Sequence, residues 1–152
     1  MKDDTQNIKK TLLVACVDFV QKKETVILET IASNKNDLFS ETKSSAGDKH
    51  ETGRAMLQLE MEKASQQLAI VNQMKETLQR LTIEYSSKNV RLGSLVKTTK
   101  GTYFLAVSVG QVLIDKETYF VVSTESPIGK QLLGKKIGEV ITFNEAQILK
   151  IA

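Results

Sequence analysis

Residues 1–90 contain no proline and only two glycines, Gly47 and Gly53. A stretch that long without helix breakers is constrained towards long helices. Two apolar stripes run through it at helical spacing. The first segment runs from about Gln6 to Ser33 and carries Leu12, Cys16, Phe19, Val20, Ile27, Leu28 and Ile31. The second runs from about Asp48 to Tyr85 and carries Met56, Leu59, Ala64, Leu68, Val71, Met74, Leu78 and Leu81. Polar gaps interrupt the stripes at Lys23 and around Glu62 and Lys63. Each stripe has the width of a coiled-coil seam, and neither helix buries it alone. Folding the two against each other as an antiparallel hairpin is the simplest solution. The connection, NKNDLFSETKSSAG, reads as a polar loop at the hairpin end.

The composition changes near residue 90. The other six glycines and the only proline lie beyond it. Lys+Arg and Asp+Glu balance at 13 each over residues 1–90, whereas residues 91–152 hold 8 and 5, so the net charge of +3 lies there. Val, Ile, Thr, Tyr and Phe now alternate in short runs, as strands require. GSLVKTT and GTYFLAVSVG flank a Lys-Gly turn, and VLIDKETYFVVST turns at Asp115-Lys116. EVITF and AQILKI follow as strands, with Asn144-Glu145 as their turn. Ahead of EVITF, Ser126-Pro127 suits a helix start, and Leu132 and Leu133 give that helix an apolar face. Gly134 and Gly138 then stop it. The expected class is α+β: an antiparallel coiled-coil hairpin over 1–86, with its tip near 36–51, and over 91–152 a small antiparallel sheet with one short helix.

Bulk properties exclude several functions. A net charge of +3 is too small to imply nucleic-acid binding by itself. One cysteine, Cys16, excludes an internal disulfide and a cysteine-based zinc site, and a cytoplasmic setting is expected. TLLVAC imitates a lipoprotein cleavage site, but the apolar run before Cys16 is too short and MKDD carries acids. No run approaches the roughly 18 apolar residues of a membrane span. Cys16 falls in the first stripe and reads as a small buried hydrophobe.

The residues that invite chemistry stand at the start of the second segment, in GDKHE, Gly47 to Glu51. Asp48 and Glu51 are three apart, so a helix sets both on one face. Two readings stay open. Asp-x-x-Glu in a first helical turn is a cap, where acids favour the positive helix end. Paired carboxylates can also hold Mg²⁺, which one or two carboxylates plus waters commonly bind. His50, two residues from Asp48, diverges around the helix and reads as an exposed residue.

SPIGKQLLGKKIGEVITF resembles the most recognisable stretch of the Gre-type transcript cleavage factors of bacterial RNA polymerase. GDKHE is similar to that family's Gly-Asp-x-x-Glu signature at the coiled-coil tip. The order of an antiparallel coiled coil and then an FKBP-like domain is also the family's, over nearly the whole chain. The resemblance implies an accessory factor rather than an enzyme. It would bind bacterial RNA polymerase through the secondary channel and meet the nascent RNA, as a monomer without a cofactor of its own or a membrane. Asp48 and Glu51 would assist the polymerase's Mg²⁺ in cutting backtracked RNA. Ser126, Pro127, Ile128 and Gly129 would dock the C-terminal domain on the polymerase.

Departures keep alternatives in play. After the tip acids the family often continues with an Asn-Ala-Glu-Tyr-like run; here it is Thr52-Gly53-Arg54-Ala55. That fits a channel-binding regulator that modulates or inhibits polymerase without cleavage. Fold analogy also raises an FKBP-like prolyl isomerase. It would need a pocket built from Tyr103, Phe104, Tyr119, Phe120 and Phe143.

Overall fold

The computed structural model describes the backbone over residues 2–43 and 48–152, and side chains over 4–40 and 52–152. Two long helices come first, α1 (Lys2–Lys43) and α2 (Asp48–Arg80). They are followed by β1 (Leu95–Thr98), β2 (Gly101–Ala106), β3 (Gly110–Ile114), β4 (Glu117–Ser123), α3 (Pro127–Leu132) and β5 (Ile148–Ile151). The chain divides into two compact units, one of Met1–Phe19 with Glu76–Ala152 and one of Val20–Lys75.

The Val20–Lys75 unit is the helical hairpin. Buried or half-buried positions of α1 fall at Val20, Glu24, Ile27, Ile31, Asn34 and Leu38, alternating steps of four and three. Leu57, Met61, Ala64, Leu68 and Val71 do the same on α2, and Met74 follows after a second step of three. This is the heptad rhythm of a seam. Lys75 Nζ lies 2.6 Å from Glu24 Oε2, 51 residues away in sequence, as antiparallel pairing requires. The polar gap at Lys23 is therefore bridged by Glu24, which spans the seam towards Lys75. Some sequence expectations are corrected here. Leu28, Met56 and Leu59 are exposed, the last two at 62% and 55%, while Leu57 and Met61 take the seam. α1 also runs ten residues beyond Ser33, where a loop was expected. Residues 34–43 hold no Gly or Pro, and Asn34 and Leu38 prolong the seam.

Asn34 is buried, and its Nδ2 has no hydrogen-bond partner. A polar group in a seam costs stability, and in coiled coils it fixes register.

In the other unit, α2 stops at Arg80 rather than continuing to Tyr85. Leu81 and Ile83, just past its end, are both buried. Gly93 seals this turn with φ +90, where an added Cβ would stand 2.3 Å from Thr82 O. Val90 joins the sheet's core, and its backbone bonds Lys135 and Gly134.

The sheet has the order β3-β4-β2-β1-β5. It is mixed, not wholly antiparallel as expected, because β2 and β4 run parallel. The chain leaves β2, skips one strand position to form β3, and returns through the Asp115-Lys116 turn. β4 then fills the gap beside β2. Both turn residues have positive φ, 49 and 70, as a two-residue hairpin demands. EVITF forms only a bridge, Val140 with Gln147, and β5 is confined to Ile148–Ile151. Glu145, at φ 59, makes the turn between them.

Both faces of the sheet are covered. Val96, Tyr103, Leu105 and Ile148 pack with Ile128 and Leu132 of α3 on one side. Leu95, Phe104, Tyr119 and Val121 are buried on the other. There the first turns of α1 lie close: Ile8 and Thr11 share a recess with Ile114 and Tyr119. Cys16 takes a hydrogen bond from the Val107 backbone. No helix among the described residues is long and apolar enough to cross a membrane.

Candidate functional site

The two sequence signatures lie in different places. α2 begins at Asp48, so Asp48 and Glu51 fall in its first turn. Their side chains lie outside the described residues, as does that of His50. Among the described residues no group of three or more His, Cys, Asp or Glu is placed to hold a metal ion.

The second signature builds α3 and its entry. Ser126 is the N-cap, with extended dihedrals, and Pro127 opens the helix with its φ already set. The Ser126 hydroxyl donates to Ser123 O at 2.6 Å and accepts from Gly129 N at 3.1 Å. One side chain thus ties the end of β4 to the first turn of α3. Ser123 Oγ accepts from Glu125 N at 3.1 Å and tightens the same corner. Gly129 is required by close approach: a Cβ there would fall 1.9 Å from Ser123 O. Ile128 and Leu132 point into the core.

Of the four residues expected to dock a partner, the structure therefore commits Ser126, Ile128 and Gly129 to building the corner. Pro127 faces out, as does the neighbouring Lys130. Leu133, expected to share the apolar face with Leu132, is exposed, because α3 ends at Leu132 and the chain turns at Gly134 with φ 82. Ile137, Val140 and Phe143 are exposed as well. Phe143 is fixed relative to α3, since its N–H donates to Gln131 Oε1 at 2.7 Å. These outward apolar residues were missed in sequence because alternation placed half of them in a strand that does not form.

The aromatic residues do not assemble a common pocket. Tyr103 and Phe120 pack 5.4 Å apart in the core on the α3 side. Phe104 and Tyr119 are buried on the opposite face, and Phe143 is exposed. Strand alternation divides them as it must, so these five aromatics line no common pocket.

Thiol chemistry at Cys16 is suppressed. Burial pushes its pKa up to about 11, against the opposing effect of the Val107 hydrogen bond. The thiol stays protonated and unreactive at neutral pH.

No family model matches the chain, and no curated protein matches it in sequence. Among solved structures, that of the transcription factor Gfh1 is similar over 85% of this chain and 92% of that one. The identity is 20% and the TM-score 0.36.

Proposed function

We propose that this chain is a Gre-type factor of bacterial RNA polymerase, entering the secondary channel with its helical hairpin and acting on backtracked complexes. The observation that carries the reading is where the two signature matches fall. Asp48 to Glu51 open α2, and SPIGKQLL forms the β4–α3 corner of a small mixed sheet. A carboxylate pair there suits a metal that belongs to the polymerase. Mg²⁺ supplies water activation and charge neutralisation in phosphodiester cleavage. Asp48 and Glu51 are the residues that would help hold it. Outward residues around α3, with Pro127, Lys130 and Leu133 in the lead, would dock the sheet unit.

The run Thr52-Gly53-Arg54-Ala55 favours a second reading, a channel-binding modulator that does not cleave. Transcript cleavage on stalled, backtracked complexes separates the two. Under the first reading, wild type shortens the RNA, while Asp48→Asn and Glu51→Gln bind polymerase without cutting. Binding by wild type with no cleavage at any Mg²⁺ concentration would establish the modulator. Failure to bind polymerase at all would remove both.

A further inference from the structure

We propose that β3 pairs with β3 of a second copy of this chain, continuing the sheet across a two-fold axis at Val112. The inference does not rest on any action at polymerase. It starts from a difference between the two edges of the sheet, β3 and β5. An open edge offers a row of backbone donors and acceptors to other chains, and proteins blunt it with charges, irregular register or covering chain. β5 is blunted in each of these ways. It carries Lys150, and its register against β1 shifts between Lys97 and Thr98. Its first residue, Ile148, accepts from Gly138 N at 2.8 Å and donates to Glu139 O at 2.9 Å. β3 has none of these devices along its length: it reads GQVLI, with neither charge nor proline. Leu113 is 70% exposed, more than any other large apolar side chain among the described residues.

The β3–β4 hairpin fixes which backbone groups face out. A two-residue turn with positive φ at both positions closes on a hydrogen-bonded pair, here Ile114 with Glu117. Bonded and non-bonded pairs then alternate along the ladder. Val112 and Gly110 therefore bond β4, while Gln111 and Leu113 turn their N–H and C=O outwards. Among the described residues no other backbone segment meets those outward groups.

Two such edges laid antiparallel about Val112 complement each other. Gln111 exchanges bonds with Leu113 of the partner subunit, and the symmetry repeats the exchange. Val112 faces its own copy, and Ile114 faces Gly110 of the partner subunit. Nothing stands within 4 Å of where a Cβ on Gly110 would be, so the space beside it is open. In this register Asp115 and Lys116 stand opposite Val109 and Ser108, so no like charges meet. A single strand pair covers far less than the roughly 1,600 Å² of a standard interface, so the dimer is weak and reversible.

The test begins with sedimentation velocity of the full chain from about 5 µM to about 1 mM, where a monomer–dimer equilibrium with a dissociation constant of about 100 µM is expected. Leu113→Lys puts a charge on an exposed edge position. It should melt like wild type when dilute and weaken dimerisation about tenfold or more. Register is read by cross-linking in a Cys16→Ala background, with copper–phenanthroline and air as oxidant. Facing residues of a non-bonded antiparallel pair have Cα atoms about 4.5 Å apart, within reach of a disulfide. Val112→Cys should therefore link into dimers, its two thiols giving up their protons and electrons to oxygen. Leu113→Cys, which faces Gln111, should link at least about tenfold more slowly. A chain that stays monomeric to about 1 mM would overturn the proposal and leave the edge to an extended strand of a different protein. So would a dimer untouched by Leu113→Lys, or equal cross-linking of the two cysteine variants.

Discussion

At the scale of single residues, the SPIG signature is explained by the corner it builds. Ser126 satisfies a β4 carbonyl and an α3 amide with one hydroxyl, and Gly129 allows the two backbones to touch. Gly129→Ala should destabilise the fold by about 2–4 kcal/mol, because a methyl 1.9 Å from a backbone oxygen forces β4 and α3 apart. Urea denaturation followed by circular dichroism measures this. A loss below about 0.5 kcal/mol would mean that the corner relaxes freely. The cap was legible because Ser-Pro before an apolar pair is a local signal. The need for glycine at 129 was not, since the obstructing carbonyl belongs to another element.

Among the elements, the β3–β4 hairpin carries a correctable strain. Asp115 and Lys116 both adopt positive φ, and lysine does so at a cost that glycine avoids. Lys116→Gly should stabilise the chain by about 0.5–1 kcal/mol, read as a shift of the denaturation midpoint at unchanged slope. Loss of stability would show that the lysine side chain contributes more than the turn geometry. The helices tell a complementary story. Their existence followed from the missing Pro and Gly, but their ends and seam did not. Met56 and Leu59 fit the apolar stripe yet are exposed, while Glu24 and Asn34 occupy it. Seam membership depends on the partner helix's register, and two adjoining apolar candidates such as Met56 and Leu57 look alike in one sequence.

For the molecule as a whole, pH reports on how tightly the base of α1 is held within the sheet unit. The folded-state pKa of Cys16 is raised to about 11 from 9.0, so between these values the unfolded chain releases its thiol proton first. The unfolded state then binds fewer protons than the native one, and stability falls as pH rises from about 9 to about 11, with a limiting slope near 1.4 kcal/mol per pH unit. Lys9 acts with the opposite sign, since its lowered pKa means that the folded chain sheds that proton early. Comparing wild type with Cys16→Ala isolates the thiol: the variant should show the shallower fall above pH 9. Identical slopes would mean that Cys16 ionises in the folded state as easily as in solvent.

The sequence by itself determined the class of each half and the position of the change between them. Helical and strand periodicities, turn residues and the Ser-Pro cap are local properties, written within a few residues of where they act. Only the tertiary structure decided which residues share a surface. It set β4 parallel beside β2, because a strand skipped in sequence is filled later by a hairpin that local pattern cannot see. It also laid the side chain of Lys9, a polar position on a helix, against another element. Burial of that kind arises when one element lies on the face of another more than 80 residues away in the chain.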